Sequence, residues 1–253
     1  MNLAAGKYWD VSWNPIQGCT PVSEGCHNCW ARAVVNRFHG VDFARVGFHP
    51  TRLAKPYTLR TSRVIFACDL TDWCHPEVRP SRVDAMLRVM LETPQHRYLL
   101  LTKRPERMSA QLYEPSADAP RRLLQPGQVV PNLALGITAE NHARLLERWS
   151  VFAAPAALRW LSLEPLLGPI DGELARHMLG SFDWVVVGAE SLGGRPGRVC
   201  QLEWIEDLVE RCNLVETPVF VKQAHQGGLV RVPIIRGRQR LALPKFFTDG
   251  GEQ

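Results

Sequence analysis

Apolar residues run along this chain in short continuous blocks, separated by stretches with helical spacing. The blocks are RVIFAC (63–68), YLLLTK (98–103), LALGIT (133–138), LRWLSLEP (158–165), WVVVGAES (184–191) and PVFVKQ (218–223). Unbroken apolar runs of this length mark strands buried on both faces of a parallel sheet. A less apolar block, YWDVSW (8–13), predicts a first strand. Between the blocks, residues 81–92 place Val83, Met86, Leu87, Met90 and Leu91 on one helical stripe behind Ser81 as N-cap. Residues 202–212 do the same with Leu202, Ile205, Leu208, Val209 and Cys212. Shorter helices are predicted over 105–112, 140–149 and 172–179, and CWARAVVNRF (29–38) opens another that stops at Gly40. Segment 39–62 reads as loop, and 113–132, with four prolines, as an insertion. Strands alternating with helices predict an α/β fold, a single partial (β/α) barrel of six or seven parallel strands; a doubly wound open sheet is the competing architecture. One domain spans 1–253, with a cysteine loop at 13–32 and a basic extension over 227–253 that packs as an edge hairpin or covers one barrel end.

In parallel α/β architectures the chemistry sits at the carboxyl ends of the strands, where the loops converge. Here the first of the six blocks exits into Asp69, Thr71, Asp72 and His75, the second into Lys103 and Arg104, the third into Thr138, Glu140 and Asn141. Ser162 and Glu164, Glu190 and Ser191, then Lys222 and Gln223 follow. Singly, Glu140 or Asp72 reads equally well as a helix cap. Polar exits from six strands together predict the lining of one mouth. GAESLGGRPGR (188–198) adds four glycines and two arginines. Such a loop is more often a plain turn; otherwise its backbone N–H groups suit a carboxylate or phosphate.

Three of the seven cysteines, Cys19, Cys26 and Cys29, fall in WNPIQGCTPVSEGCHNCWAR (13–32) with spacing C-x6-C-x2-C. The start, MNLAAGKYWDVSW, lacks an apolar signal core, and no run of 18 apolar residues occurs, so a cytoplasmic chain with no membrane span is expected. In that compartment clustered cysteines point to metal rather than disulfides. Structural zinc wants a fourth ligand, from His27, Cys68, Cys74 or His75, and no second C-x2-C pair follows. Three thiolates on a [4Fe–4S] cluster leave one iron open to a small molecule, and such clusters support S-adenosylmethionine (SAM) radical chemistry. An iron–sulfur centre is the leading reading, zinc the next. Cys212 belongs to a helix stripe and Cys200 has no partner pattern, while Cys68 and Cys74 are packing residues or candidates for a catalytic thiol. The net charge of +5 rests on 25 arginines against 5 lysines. Arginine suits phosphate, but an arginine-rich coding bias accounts for it equally well, so the charge permits nucleic acid without requiring it.

The segments WNPIQGCTPVSEGCHNCWA, LTKRPERM, LSLEPLLGPID, WVVVGAES and VFVKQ, in that order across about residues 9 to 225, resemble the phage Gp37/Gp68 family (DUF5131, three-Cys-motif proteins). The resemblance implies an iron–sulfur, radical-SAM-like barrel acting on nucleic acid. By motif position it assigns Cys19, Cys26 and Cys29 as metal ligands, and places Asp72, His75, Lys103, Arg104, Glu164, Glu190, Ser191, Lys222 and Gln223 in the matching segments. Trp30, Ala189 and Ala224 depart from it, standing where tyrosine, glycine and tryptophan are usual. The usual radical SAM spacing, C-x3-C-x2-C, is lengthened in its first gap, and the glycine-rich element that holds the methionyl amine has no counterpart; Asp69, Thr71 or Asp72 substitutes for it.

The expected function is therefore a radical-SAM-type enzyme. The cluster activates SAM, whose reductive cleavage yields a 5′-deoxyadenosyl radical that abstracts hydrogen from a nucleic-acid base or nucleotide. The expected catalytic residues are Asp72, His75, Lys103, Glu164 and Lys222, with Lys103, Arg104 and Lys222 holding phosphate or carboxylate groups. Asp69, Thr71, Glu190 and Ser191 are expected on the cofactor. A reductant protein such as flavodoxin or ferredoxin is the implied partner. The alternative is a non-catalytic nucleic-acid-binding protein with an iron–sulfur or zinc staple, in which Arg231, Arg236, Arg238 and Arg240 grip phosphates.

Overall fold

A computed structural model describes residues 1–38, 40–153 and 155–247. All seven predicted strands form. They are β1 (Val11–Trp13), β2 (Val64–Ala67), β3 (Arg97–Thr102), β4 (Leu133–Thr138), β5 (Leu158–Leu163), β6 (Trp184–Gly188) and β7 (Val219–Gln226). They pair in parallel and in chain order, and β8 (Leu229–Arg231) adds an antiparallel strand to β7. This is the expected partial (β/α) barrel and not a doubly wound sheet, whose strand order would reverse. In the basic extension, Leu229–Arg231 form an edge hairpin with β7, and Leu241, Leu243, Phe246 and Phe247 pack on the interior cluster. Its end, 248–253, lies outside the described residues.

The curvature is visible in the ring contacts. The Phe66 and Trp160 ring centroids lie 5.8 Å apart although β2 and β5 are three strands removed. A flat sheet would separate them by roughly 14 Å, at about 4.8 Å per strand. Along β2 to β7 one set of side chains faces inward, Val64 and Phe66, Leu99, Ala134, Leu158 and Trp160, Trp184 and Val186, and Phe220. Tyr8 lies among them with its ring against Trp184 at 5.1 Å and Phe220 at 5.4 Å. The alternate set, from Ile65 and Tyr98 to Val185 and Val221, meets the helices in a second, larger core. Being apolar on both faces is what makes the strands read as unbroken runs.

The Trp160 indole crosses β4 and donates to the Leu100 carbonyl of β3 at 3.2 Å. It crosses at Gly136, where a Cβ would stand 2.4 Å from the indole nitrogen. Gly136 is therefore a packing requirement of the interior.

The helices are α1 (Trp30–Phe38), α2 (Pro80–Glu92), α3 (Met108–Tyr113), α4 (His142–Trp149), α5 (Leu174–Gly180) and α6 (Leu202–Leu214). Ser81 is not the cap of α2: Pro80 occupies the first helical position, and the Ser81 amide and hydroxyl both donate to Asp118. Leu91, expected on the buried stripe, is exposed. The segment 113–132 is less an insertion than a strap. Arg122 forks onto Asp84 at 2.8 and 3.0 Å, and Leu124 and Val130 enter the core. Of segment 39–62, residue 39 lies outside the described residues, and the rest carries 3-10 turns at Pro50–Ala54 and Pro56–Thr58 where a loop was expected.

Replacing Gly136 by alanine is expected to cost about 1–3 kcal/mol through overpacking against Trp160. Urea unfolding checks this: the midpoint should fall in Gly136→Ala and partly recover when Trp160→Phe is added.

Candidate functional site

The polar strand ends do converge, and the structure pairs them. Lys222 meets Glu164 at 2.8 Å, Lys103 stands 3.6 Å from Glu140, and Arg198 forks onto Glu190. Glu164 also accepts from Tyr8 at 3.4 Å and Ser162 at 3.3 Å. The Lys222 ammonium lies 5.6 Å from the centre of the Trp9 ring, with Lys7 at 5.7 Å from the same ring. Glu140 is fully buried and shared among Lys103, Arg148 and Ser23. Lys103, Arg104 and Lys222 were expected to hold phosphate or carboxylate groups of a ligand. Each meets a carboxylate of the chain itself.

The cysteine loop lies across these strand ends. Ser23 donates to Glu140 at 2.7 Å, Asn28 to Glu190 at 3.0 Å, and Arg198 to the Glu24 carbonyl at 2.8 Å. Glu24 in turn accepts from Asn141 and Arg144 of the α4 start. At Gly25 a Cβ would meet the Glu140 carboxylate at 2.2 Å, so only glycine lets the loop lie this close. On the other side, Gly18 bridges to Thr71, whose hydroxyl donates to the Gly18 carbonyl.

Asp72 and His75 face this loop rather than the open mouth. The Asp72 carboxylate accepts from the Thr102 hydroxyl (2.6 Å), the Lys103 and Cys74 amides (3.1 and 3.0 Å) and Arg104 Nη1 (2.8 Å). Arg104 then donates to the Thr20 carbonyl at 2.8 Å and approaches Cys19 Sγ at 3.7 Å. His75 Nδ1 accepts the Glu77 amide, which assigns the proton to Nε2, and Nε2 meets the Thr20 hydroxyl at 2.8 Å. Burial first, and then Arg104, lower the His75 pKa and favour this neutral form. Through Thr20 and Arg104, Asp72 and His75 are both tied to the loop. Asp69 is likewise absorbed by Ser12 and Asn14, and burial raises its pKa. Ser191 accepts the Gly194 amide in a small hairpin, so the glycine-rich loop is a turn.

The thiols divide into two classes. Cys19, Cys26 and Cys29 are half-buried, whereas Cys68, Cys74, Cys200 and Cys212 are buried. Burial pushes the Cys200 and Cys212 thiols up to about 12 and those of Cys68 and Cys74 well above the usual range. The suggestion of a catalytic thiol at Cys68 or Cys74 is thereby corrected. Cys19 and Cys29 both pack on Ala31, Val35, Phe43 and Leu70, while Cys26 lies 3.9 Å from the Ser23 hydroxyl. Among the described residues no three Cys, His, Asp or Glu side chains are drawn together as a metal site. By chemistry the donor set fits a thiolate-bound metal: soft ligands on one loop, partly open to solvent, with a cation beside Cys19.

Several residues went unrecognised in the sequence. Tyr8, Trp9, Thr20, Ser23, Asn28, Arg148 and His225, which meets the Glu190 carbonyl at 2.7 Å, all serve this site. Ser23, Gly25 and Asn28 lie inside the cysteine motif, so their spacing from the cysteines was the available signal.

Burial raises the Glu190 pKa, but side-chain and backbone hydrogen bonds from Arg198, with one from Asn28, outweigh it and hold the carboxyl at about 2, from an ordinary 4.5. The stabilisation this implies is present above pH 4.5 and lost as pH falls towards 2. Thermal unfolding of wild type and Glu190→Gln should therefore differ at pH 7 and converge in acid. A gap that stays constant down to pH 3 would separate Glu190 from loop docking.

A family model described as "Protein of unknown function (DUF5131)" matches residues 5–239. No curated protein matches the sequence. In fold, the chain is similar to a cysteine-to-serine mutant of spore photoproduct lyase, with a TM-score of 0.50 at 10% identity over 83% of this chain and 75% of that one. A complex of spore photoproduct lyase with a dinucleoside spore photoproduct has a TM-score of 0.49 at 11% identity, over 82% and 74%. The phage name stays a resemblance of motifs. No described helix is long and apolar enough to cross a membrane. The match of the model to nearly the whole barrel, cysteine loop included, makes this chain a member of the DUF5131 family.

Proposed function

We propose that this protein is an iron–sulfur enzyme of the radical-SAM type, with Cys19, Cys26 and Cys29 as the ligands of a [4Fe–4S] cluster. The observation that carries the reading is the placing of its three half-buried thiols. They sit on a loop fastened to both sides of the strand ends, by Asp72, Arg104 and His75 on one flank and by Glu140 and Glu190 on the other. A loop that merely stapled a binding protein would not need two buried carboxylates under it. Held by these cysteines, the cluster would supply the chemistry of one-electron cleavage of a SAM C–S bond, with methionine as the leaving group.

The chain's own residues do the rest. The Glu164–Lys222 pair, with Tyr8 and Trp9 beside it, orients SAM or substrate in the barrel, and Lys103 with Glu140 holds the opposite wall. The aromatic interior below excludes water from the reacting groups. The substrate we name is a base or nucleotide of nucleic acid; a base in a duplex would have to flip out to enter. Because the lysines of the mouth are paired, phosphates fall to exposed arginines of the C-terminal extension such as Arg231 and Arg238. A ferredoxin- or flavodoxin-like protein is the electron donor of this scheme.

The test is made on protein purified without oxygen. About four irons and four sulfides per chain are expected, with an electron paramagnetic resonance signal of the reduced form that shifts when SAM is added. Cys26→Ala should lose the brown chromophore. Full iron content in that variant would overturn the three-ligand assignment, and zinc in place of iron would leave the cysteines as a staple.

A further inference from the structure

Arg104 is buried, 6% exposed, yet it belongs to no helix or strand and lines no apolar core. Its donors are divided in a definite way. Nη1 gives one bond to Asp72 Oδ2 at 2.8 Å and lies 3.7 Å from Cys19 Sγ, while Nη2 takes the Thr20 carbonyl at 2.8 Å and reaches its hydroxyl at 3.4 Å. Each terminal guanidinium nitrogen carries two hydrogens. The one that Nη1 does not spend on Asp72 is available to the sulfur. The fork cannot swing away, because Asp72 is itself held by Thr102 and two backbone amides. Of the three cysteines, Cys19 alone has a guanidinium as a described hydrogen-bonding neighbour; Cys26 faces the Ser23 hydroxyl.

Resting on the cluster reading above, we infer that Arg104 is a positioning and tuning residue for the cluster. It donates an N–H···S hydrogen bond to the Cys19 thiolate and sets a fixed positive charge against one ligand out of three. Hydrogen bonds to cluster sulfurs and nearby net charge set the reduction potential of such centres, and outer partners of ligands orient them. A cation at Cys19 withdraws density from that thiolate and favours the reduced cluster. Asp72 acts through Arg104 by aiming the fork, and its own negative charge, also felt at Cys19, opposes that of the guanidinium.

The experiment uses the full chain, reconstituted anaerobically with iron and sulfide, and reads the midpoint potential by a redox titration followed in the electron paramagnetic resonance spectrum. Arg104→Lys keeps the charge against Asp72 but loses the planar fork that spans Asp72, Thr20 and Cys19 at once. Its potential is expected to fall below that of wild type. The double variant Asp72→Asn/Arg104→Gln removes the ion pair without stranding either charge, which protects the fold; the two charges leave together, so loss of the N–H···S bond is what should lower its potential. Circular dichroism confirms folding in each. Variants that load as much iron as wild type and keep its midpoint potential overturn the inference. So does a folded double variant without cluster, if Arg104→Lys is loaded at the wild-type potential, since Arg104 would then be a structural brace alone. Failure of wild type itself to take up iron is a different result: it removes the cluster reading and this inference with it.

Discussion

The carboxylate of Asp72 is the point on which the site depends. It sits at the end of β2, is almost wholly buried, and draws together the end of β3 through Thr102 and Lys103, its own turn through Cys74, and the cysteine loop through Arg104. Ionised and buried, it is tolerable only because every approach to it is a donor. Removing one partner of such a pair typically costs about 3–5 kcal/mol, since the other is left charged and dry. The loop that carries Cys19 is therefore held by the electrostatic necessities of the barrel rather than by apolar packing of its own, which amounts to a cluster of four buried residues.

The same rule organises the mouth. Lys103, Arg148, Lys222 and Arg198 are drawn in by Glu140, Glu164 and Glu190, and the glutamates that anchor the cations also receive Ser23 and Asn28 from the loop. Charge in the interior is nearly balanced, so the excess of arginine in the composition is a poor guide to phosphate binding. Arg104, Arg107, Arg122 and Arg148 are spent on backbone carbonyls and internal carboxylates. Arginine serves for this because its fork satisfies several acceptors at once and stays charged when dry. The mouth therefore presents paired charges beside aromatic rings rather than free cations.

Much of the scaffold was legible because it is written in local periodicity. Unbroken runs such as WVVV and LALGIT become strands apolar on both faces, and the i, i+3, i+4 spacing of Val83, Met86, Leu87 and Met90 becomes a buried helix stripe. Where the reading missed, a contact from far along the chain had won. Ser81 gave way as a cap because Asp118 reaches the helix start from the strap, and Pro80 already occupies its first turn. Gly136 looked like one more residue of a strand, and only the Trp160 indole crossing it explains why it has no side chain.

The candidate site divides along the same line. Chain order alone determined that polar residues follow the strands and that three cysteines share one loop, because a strand's exit and a loop's ligands are neighbours in sequence. Only the tertiary structure decided what those residues do to one another. Asp72 and His75 turn towards Thr20 and Arg104, while Glu190 closes on Arg198 and Asn28. Glu164 takes Lys222 from a strand 58 positions away (222 less 164). The physical reason is that desolvation makes every buried charge seek its opposite, and which opposite is within reach is set by the curvature of the sheet.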